Sequence, residues 1–344
     1  MVATGTAAVA IALTPGIAAA EFPPGGDTRG GDTHTSGSKD GQTLESRISY
    51  TGGTPATGGT GKAGPTSFKA AGNWKPPACW FEPMSAAEFK TSVEAFYNDT
   101  IHYPGQPSYA MAAAAEYKKM YEDGTYKNYN LDKADQGAFW VAVMDQSRSN
   151  ELEAWACNST LPVWAPNGTP PPIRNAVTPE VLAQLAYNRI SVPETKVTLA
   201  PEANTKVNLP TWAWLDKGTF QPVSVTASLN AGGVNVSATT TAKPVSLTLK
   251  PGTPDARLHP GSGECAINAD GTIGTPFTPG SADKTPPCGL TYLRSSGNGS
   301  YALEASLTWE VTWSGSNGQN GTLPNGTFTT VQNITVQEIQ AINR

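Results

Sequence analysis

The chain has 344 residues, of which only 15% are charged, and its formal net charge at pH 7 is -5. A protein that binds nucleic acid needs a basic surface for the phosphates, so this balance argues against a nucleic-acid partner. The 35 glycines and 29 prolines favour β-structure and loops over a helical enzyme, and the length accommodates two ordinary domains.

The first twenty residues have the pattern of a secretory signal peptide. An apolar run extends from Ala7 to Ile17, and three alanines precede Glu21 as a small-residue cleavage site. The run is too short to span a bilayer as a helix. The alternative is an Ala-rich, low-complexity N-terminus, because no Lys or Arg precedes the run. We expect residues 1–20 to be a signal peptide and the mature chain to be secreted or at the cell surface, without a membrane span.

Residues 21–72 are rich in Gly, Thr, Ser and Pro and contain almost no large apolar side chain. Such a segment cannot bury enough surface to offset its chain entropy, so a disordered linker is predicted. Within it, Gly58–Ala63 superficially resembles a phosphate-binding loop. Ala56 and Ala63 occupy the positions where that motif needs Gly and Ser or Thr. We therefore predict no nucleotide and no other cofactor.

Residues 73–195 predict a mostly helical domain. Ser85 and Glu88 have the spacing of a capping box ahead of an apolar stripe, which indicates the start of a helix. Thr178 and Pro179 supply the N-cap and first residue of another helix. Two further helices are predicted over 109–121 and 134–145. The helix that Thr178 and Pro179 begin is predicted to cover 177–190, and 161–174 is predicted to be loop.

From Lys196 onward, apolar residues recur at every second position instead of at helical spacing. Between Tyr301 and Trp313 the apolar residues alternate strictly with polar ones, which predicts a strand buried on one face and wet on the other. A half-wet strand belongs in an antiparallel sheet. The other predicted strands cover 197–199, 207–209, 212–214, 223–225, 234–236, 245–249 and 328–339. This pattern predicts a β-sandwich over 196–344, and the whole chain is then a two-domain α+β protein.

Four cysteines in an exported chain predict two disulfides. Cys79 and Cys157 flank the helical region, whereas Cys265 and Cys288 bracket one Gly/Pro-rich loop, so 79–157 and 265–288 is the economical pairing among three possible ones. A zinc site is the alternative. The cysteines lack the spacing of zinc knuckles and no histidine lies near a cysteine pair in sequence, so we predict no metal.

No catalytic motif stands out. The sequence contains no Gly-x-Ser-x-Gly elbow, no HExxH and no calcium-loop consensus. The three histidines, in unrelated settings, are His34, His102 and His259. A carboxylate pair for glycoside hydrolysis would have to come from Glu82, Glu88, Glu94 and Glu116. Glutamates on helix surfaces are the ordinary case, so we predict no catalytic residues and keep a hydrolase as an alternative.

Nine tryptophans are the strongest indication of binding. Trp212 and Trp214 share one strand face, as do Trp309 and Trp313. Exposed pairs of this kind make platforms for sugar rings or protein partners, and buried pairs belong to a core. The strict alternation favours a core position for the second pair. Trp212 and Trp214 are therefore the candidate partner or sugar contacts.

Three segments, 74–83, 208–216 and 287–296, resemble a group of secreted actinobacterial proteins of uncharacterised function. Leu290–Tyr292 followed by Tyr301–Thr308 is similar to the closing hairpin of PKD-type immunoglobulin-like domains. The resemblance implies a secreted protein with a C-terminal PKD/Ig-like domain, and it implies no catalytic residues. Members are sometimes labelled ATP/GTP-binding, which the failed phosphate-loop match does not support here.

Together these features predict an exported, non-enzymatic protein. We expect it to bind an extracellular protein or a cell-wall polysaccharide, at the cell surface or within a secreted assembly. The first alternative is a carbohydrate-binding module that uses its tryptophan pairs. The second is an extracellular hydrolase that uses carboxylates of the helical domain.

Overall fold

A computed structural model describes residues 46–52, 66–67, 69–215 and 220–338. The predicted signal peptide and most of the predicted linker lie outside the described residues. Within them, the protein is mostly antiparallel β-structure with a few helices and two disulfides. No helix in these ranges is long and apolar enough to cross a membrane.

The elements are numbered in chain order. The helices are α1 (Ala86–His102), α2 (Ser108–Glu122), α3 (Leu152–Trp155) and α4 (Pro179–Tyr187). The first nine strands are β1 (Ile48–Gly52), β2 (Thr66–Ser67), β3 (Lys69–Ala70), β4 (Cys79–Met84), β5 (Gly137–Met144), β6 (Val163–Pro166), β7 (Ser191–Val192), β8 (Thr198–Ala200) and β9 (Asn204–Lys206). The others are β10 (Pro210–Leu215), β11 (Val223–Ala231), β12 (Val234–Lys250), β13 (Ala256–His259), β14 (Glu264–Ala266), β15 (Ile273–Gly274), β16 (Gly289–Tyr292), β17 (Tyr301–Gly315) and β18 (Asn320–Gln337).

The largest sheet has eight strands, and its main path runs β1-β11-β12-β17-β18-β3. Its long antiparallel strands follow one another along the chain, as expected for hairpins. The predicted strands 234–236 and 245–249 are one continuous strand, β12. Its register shifts between Pro244 and Ser246, and this bulge accommodates a proline that has no N–H for the ladder. The predicted strand 207–209 was wrong, because these residues form the turn between β9 and β10.

The predicted alternation of β17 is confirmed, since Leu303 to Trp313 are buried at every odd position. This inner face packs against α4 and against a five-stranded sheet that runs β13-β16-β10-β15, with β8 also paired to β10. One cluster of buried side chains includes residues from before and after position 195. The division into two domains at that position and the PKD/Ig-like identity stay predictions.

The prediction of a helix over 134–145 was wrong. Gly137–Met144 is instead the central strand of the three-stranded sheet β4-β5-β6, and six of its eight residues are buried. A strand covered on both faces shows no period of two, so its apolar run cannot be told from a buried helix by pattern alone. Part of the predicted loop 161–174 is strand β6.

Helices α1 and α2 form a hairpin that packs against this small sheet around a second core. Phe89 stacks on Phe139 with ring centroids 4.0 Å apart, and Tyr121 meets both rings edge to face. The predicted capping box is confirmed, because the Ser85 hydroxyl accepts from the backbone N–H of Glu88 while the Glu88 carboxylate accepts from the N–H of Ser85. The predicted N-cap Thr178 is confirmed as well.

The predicted linker was wrong for its described parts, because three strands lie within it. β1 pairs with β11, β2 with β7 and β3 with β18. Composition could not indicate this, since these short strands are held by partners far along the chain. Both disulfides have the economical pairing: Cys79 is bonded to Cys157 and Cys265 to Cys288.

Candidate binding surface

The outer face of the large sheet is lined with serine and threonine hydroxyls. Because side chains alternate along a strand, buried and outward residues alternate along β11, β12, β17 and β18 except at the bulges of β12 and β18, and many of the outward residues carry a hydroxyl. The cross-strand register aligns them into rows that run across the strands. Two of these rows are Thr51-Thr226-Thr239-Ser314 and Ser224-Thr241-Thr312-Thr322.

The rows continue at both ends of the sheet. A shorter row, Ser49-Ser228-Ser237, lies beside the first two, and beyond the bulges in the long strands two more consist of Thr308-Thr327 and Thr248-Ser306-Thr329. Neighbouring strands lie about 4.8 Å apart, and rows two residues apart along a strand are separated by about 6.8 Å. These outward residues are exposed or half-buried. The face is therefore a regular grid of short polar groups.

Several of these hydroxyls are hydrogen-bonded in cross-strand pairs. The Oγ atoms are 2.8 Å apart in Ser224–Thr241, 2.7 Å in Thr226–Thr239 and 2.6 Å in Ser306–Thr329. Such pairs stabilise a sheet by about 0.2–1 kcal/mol each. Each pair still has one O–H donor and several oxygen lone pairs that can bond to a ligand. The pairing thus fixes the positions of the hydroxyl groups and leaves them able to form further hydrogen bonds with a ligand.

The charges on this face are few and opposite. Lys250 Nζ lies 3.7 Å from the Glu304 carboxylate, and Lys243 stands directly opposite Glu310 across the strands. A third lysine, Lys69 on β3, lies opposite Thr327, so these five charges sum to +1. The surface therefore presents a nearly neutral array, which suits an uncharged, hydroxyl-rich ligand better than an acidic or basic one.

The tryptophans do not form exposed platforms. Trp309 is completely buried, Trp313 is 9% exposed and Trp212 is 7% exposed, and only Trp214 is half-buried. Trp212 is therefore not an exposed contact, whereas the half-buried Trp214 stays a candidate contact. Phe277, from the loop closed by the second disulfide, lies edge-on to the Trp212 ring at 6.0 Å.

Two buried indole N–H groups, those of Trp212 and Trp309, have no hydrogen-bond acceptor among the described residues. An unsatisfied buried donor costs about 1–3 kcal/mol. Trp309 lies where the register shifts on both sides, opposite Pro244 on β12 and Gly326 on β18. Both indoles therefore serve packing at the expense of a hydrogen bond.

Glu82 is the one buried glutamate of the predicted carboxylate set. Its carboxylate accepts hydrogen bonds from the Trp80 indole N–H at 2.7 Å, the Arg47 backbone N–H at 2.8 Å and the Ser46 hydroxyl at 2.7 Å. Burial raises the pKa of Glu82, while the three hydrogen bonds act in the opposite direction. The carboxylate thus ties the segment before β1 to strand β4.

The other predicted glutamates have ordinary surface roles. Glu88 caps α1 and meets Arg47, Glu94 pairs with Lys90, and Glu116 is exposed on α2. None of the contacts described for Glu82 involves a second carboxylate. The contacts of these four glutamates are therefore those of a structural anchor, a helix cap, a surface ion pair and an exposed helix residue, and the hydrolase stays an alternative.

The histidines lie apart from one another. His34 lies outside the described residues. The His102 ring bonds to the Asn98 carbonyl at the end of α1, and the His259 ring lies 3.0 Å from the Thr291 hydroxyl. Burial lowers the pKa of His259. No group of three or more His, Cys, Asp and Glu side chains with the geometry of a metal site occurs in the described ranges.

An ion network joins Arg148 and Glu151 to Lys75, which lies ahead of strand β4. The Arg148 guanidinium makes two hydrogen bonds to Glu151, at 2.8 and 3.0 Å, and a third to the Pro76 carbonyl at 2.7 Å. Lys75 Nζ meets the same carboxylate at 3.1 Å. The hydrogen bonds from Arg148 and then Lys75 lower the pKa of Glu151 to about 2. This network fixes the extended segment that leads into β4.

The tip of the helical hairpin carries two exposed aromatic side chains. Tyr103 is 67% and Tyr109 68% exposed, on either side of the turn that joins α1 to α2. Aromatic residues in such positions are frequent anchors of protein interfaces. The tip is a second, smaller candidate surface.

No family model, no curated protein and no solved structure matches this chain. The hydroxyl rows were not recognised in the sequence. The signal was present as Ser or Thr at alternate positions of several predicted strands, among them 223–225 and 245–249 and the second half of 301–313. It became a surface only once the register aligned the strands.

Proposed function

We propose that this is an exported binding protein that recognises a neutral, hydroxyl-rich polymer, and we assign a cell-wall or extracellular polysaccharide as its ligand. The proposal depends on one observation, the rows of serine and threonine hydroxyls on the outer face of the large sheet. We define this surface as the hydroxyl face, composed of the outward residues of β1, β11, β12, β17 and β18.

The chemistry of the hydroxyl face suits such a ligand. Every hydroxyl both donates and accepts, as sugar hydroxyls do, so either partner can adjust to the other. Serine and threonine are short and lose little side-chain entropy when ordered. A single hydrogen bond contributes only about 0.5–1.5 kcal/mol, so useful affinity requires many contacts. A polymer that lies across several rows supplies them.

The surrounding structure is compatible with an exported protein. Disulfides persist in oxidising compartments, and this chain has two of them. We propose that the two facing sheets form a PKD/Ig-like sandwich of which the hydroxyl face is the solvent side. In this proposal the protein is not an enzyme, and its activity is adhesion or retention at a surface.

The test is co-sedimentation of the full chain with insoluble cell-wall polysaccharides, followed by competition with soluble fragments. A variant with Thr241, Thr312 and Thr322 replaced by valine removes three of the four hydroxyls of one row but retains β-branched side chains of similar shape. We expect wild type to sediment with at least one polymer and this variant to bind more weakly. A protein that sediments with none of the polymers would contradict the proposal.

A protein partner is the second candidate, favoured by the exposed Tyr103 and Tyr109. Pull-down from culture and cell-wall fractions distinguishes the two. Specific capture of a protein, with no retention on polysaccharide, that is lost in Tyr103→Ala/Tyr109→Ala would assign the function to the hairpin tip.

A further inference from the structure

Strand β1 is a terminal strand of the large sheet. Among the described residues it pairs only with β11, and no described strand pairs with its outer edge. Ser49, Thr51 and Gly52 are exposed. An unpaired edge is a template for another strand.

Several other terminal strands in the fold carry the features that usually prevent such pairing. β3 contains Lys69, β13 contains Arg257 and β6 ends in Pro166. Charges and prolines at an edge discourage the addition of a strand. β1 reads Ile-Ser-Tyr-Thr-Gly and contains neither. Burial raises the pKa of its one titratable residue, Tyr50, to about 12, so the strand is uncharged near neutral pH.

The sequence of β1 is complementary to itself in antiparallel pairing. A two-fold axis at Tyr50 would place Ser49 of one copy opposite Thr51 of the other, and Ile48 opposite Gly52. Hydroxyls would then meet hydroxyls on the outer face, as they do within the chain where Ser49 Oγ lies 3.3 Å from Ser228 Oγ. A bulky side chain would meet a glycine. A two-fold axis of this kind makes an isologous contact that closes as a dimer.

The position of β1 is rigidly maintained from within the chain. Glu82 binds the Arg47 N–H and the Ser46 hydroxyl immediately before the strand, and the Arg189 guanidinium lies 4.9 Å from the centroid of the Tyr50 ring. The edge is therefore preorganised, and a second strand would not have to order it.

We infer that two copies of this chain associate through their β1 edges to form one continuous sheet. The rows that start at Ser49 and Thr51 then extend from one copy into the other, so the dimer presents a hydroxyl face of doubled length. Dimerisation itself does not require the proposed ligand. Its functional consequence, tighter binding through two linked faces, does depend on the proposed function.

The test is analytical ultracentrifugation of the full chain over a range of concentrations. We expect wild type to dimerise reversibly and Ser49→Lys/Thr51→Lys to sediment as a monomer, because the two-fold axis would bring lysines opposite lysines. The matched control is Thr312→Lys/Thr329→Lys, which adds the same charge to the hydroxyl face on β17 and β18, away from the edge, and should still dimerise. Wild type that stays monomeric up to its solubility limit would overturn the inference, as would an edge variant that dimerises like wild type.

Hydrogen exchange supplies a second readout that needs no variant. The amides of β1 should become more protected as the wild-type concentration rises through the dimerisation range, while those of the central strand β17 should not change. Protection that does not depend on concentration would exclude pairing at this edge. If the dimer fails both tests and polysaccharide binding remains, only this inference is lost.

Discussion

At the scale of single residues, the informative groups are buried or paired charges that serve architecture. Glu82 accepts three hydrogen bonds in an environment from which water is excluded. Removing one partner of a buried network leaves the others unsatisfied, which costs more than the hydrogen bonds contributed. Glu82 is therefore a structural anchor of the N-terminal strand.

Replacing Glu82 with alanine should lower the free energy of unfolding by about 3 kcal/mol, because the Trp80 indole and the Arg47 amide lose their acceptor. Denaturant unfolding measures the change, and hydrogen exchange should show earlier opening of residues 46–52. The control Glu94→Ala removes a half-exposed carboxylate paired with Lys90, and should cost at most about 0.5 kcal/mol. Equal effects for the two variants would show that Glu82 is not an anchor.

Glu151 should make the stability of the protein depend on pH in the acid range. Its pKa is lowered from the ordinary value of 4.5 to about 2, so its contribution to stability is complete above pH 4.5 and is lost as the pH falls toward 2. The melting temperature of wild type should therefore exceed that of Glu151→Gln at pH 6, and the two should converge near pH 2. Glu153→Gln, on the exposed side of the same turn, should retain the wild-type profile. A gap between wild type and Glu151→Gln that does not change with pH would contradict this assignment.

The residue scale also shows what the sequence could and could not predict. The capping box at Ser85 and the alternation of β17 follow from local patterns, and both are confirmed. The burial of Trp212 was not predictable, because it depends on a loop that returns from residue 277. The role of Glu82 likewise depends on a partner 36 positions earlier in the chain.

At the scale of elements, the disulfides close loops of very different length. Cys79 and Cys157 are 78 positions apart, whereas Cys265 and Cys288 are 23 apart. A cross-link that closes a longer loop restricts the unfolded chain more. Their pairing was predictable because each pair brackets one region of the sequence. Strand β5 was not, because its run of apolar residues is compatible with either a strand or a buried helix.

Replacing Cys79 and Cys157 with alanine should lower the free energy of unfolding by about 4 kcal/mol, and replacing Cys265 and Cys288 by about 3 kcal/mol. Denaturant unfolding of both double variants under identical conditions checks the order. In the second variant, hydrogen exchange should also rise around Trp212 as its covering loop is released. If the Cys265/Cys288 variant lost more unfolding free energy than the Cys79/Cys157 variant, local packing and not chain entropy would determine how much each disulfide contributes.

At the scale of the whole molecule, the sheets and helices produce one extended polar surface. Helix α4 and the smaller sheet cover the inner face of the large sheet, so the outer face is the one available to a ligand. Its hydroxyl rows arise from many positions that are individually unremarkable. The sequence predicted the antiparallel strands, but only the register between them shows that the hydroxyl residues of neighbouring strands stand opposite one another.

The most direct test of the hydroxyl face compares two versions of the same row on one polysaccharide. In the first, Thr241, Thr312 and Thr322 are valine, and in the second they are serine, which keeps the hydroxyl and loses only the methyl group. With about 1 kcal/mol for each hydrogen bond, loss of three should weaken binding about 100-fold, while the serine version should bind nearly as wild type does. Equal affinities for the two versions, with both proteins folded, would contradict the assignment of the hydroxyl face as the binding surface.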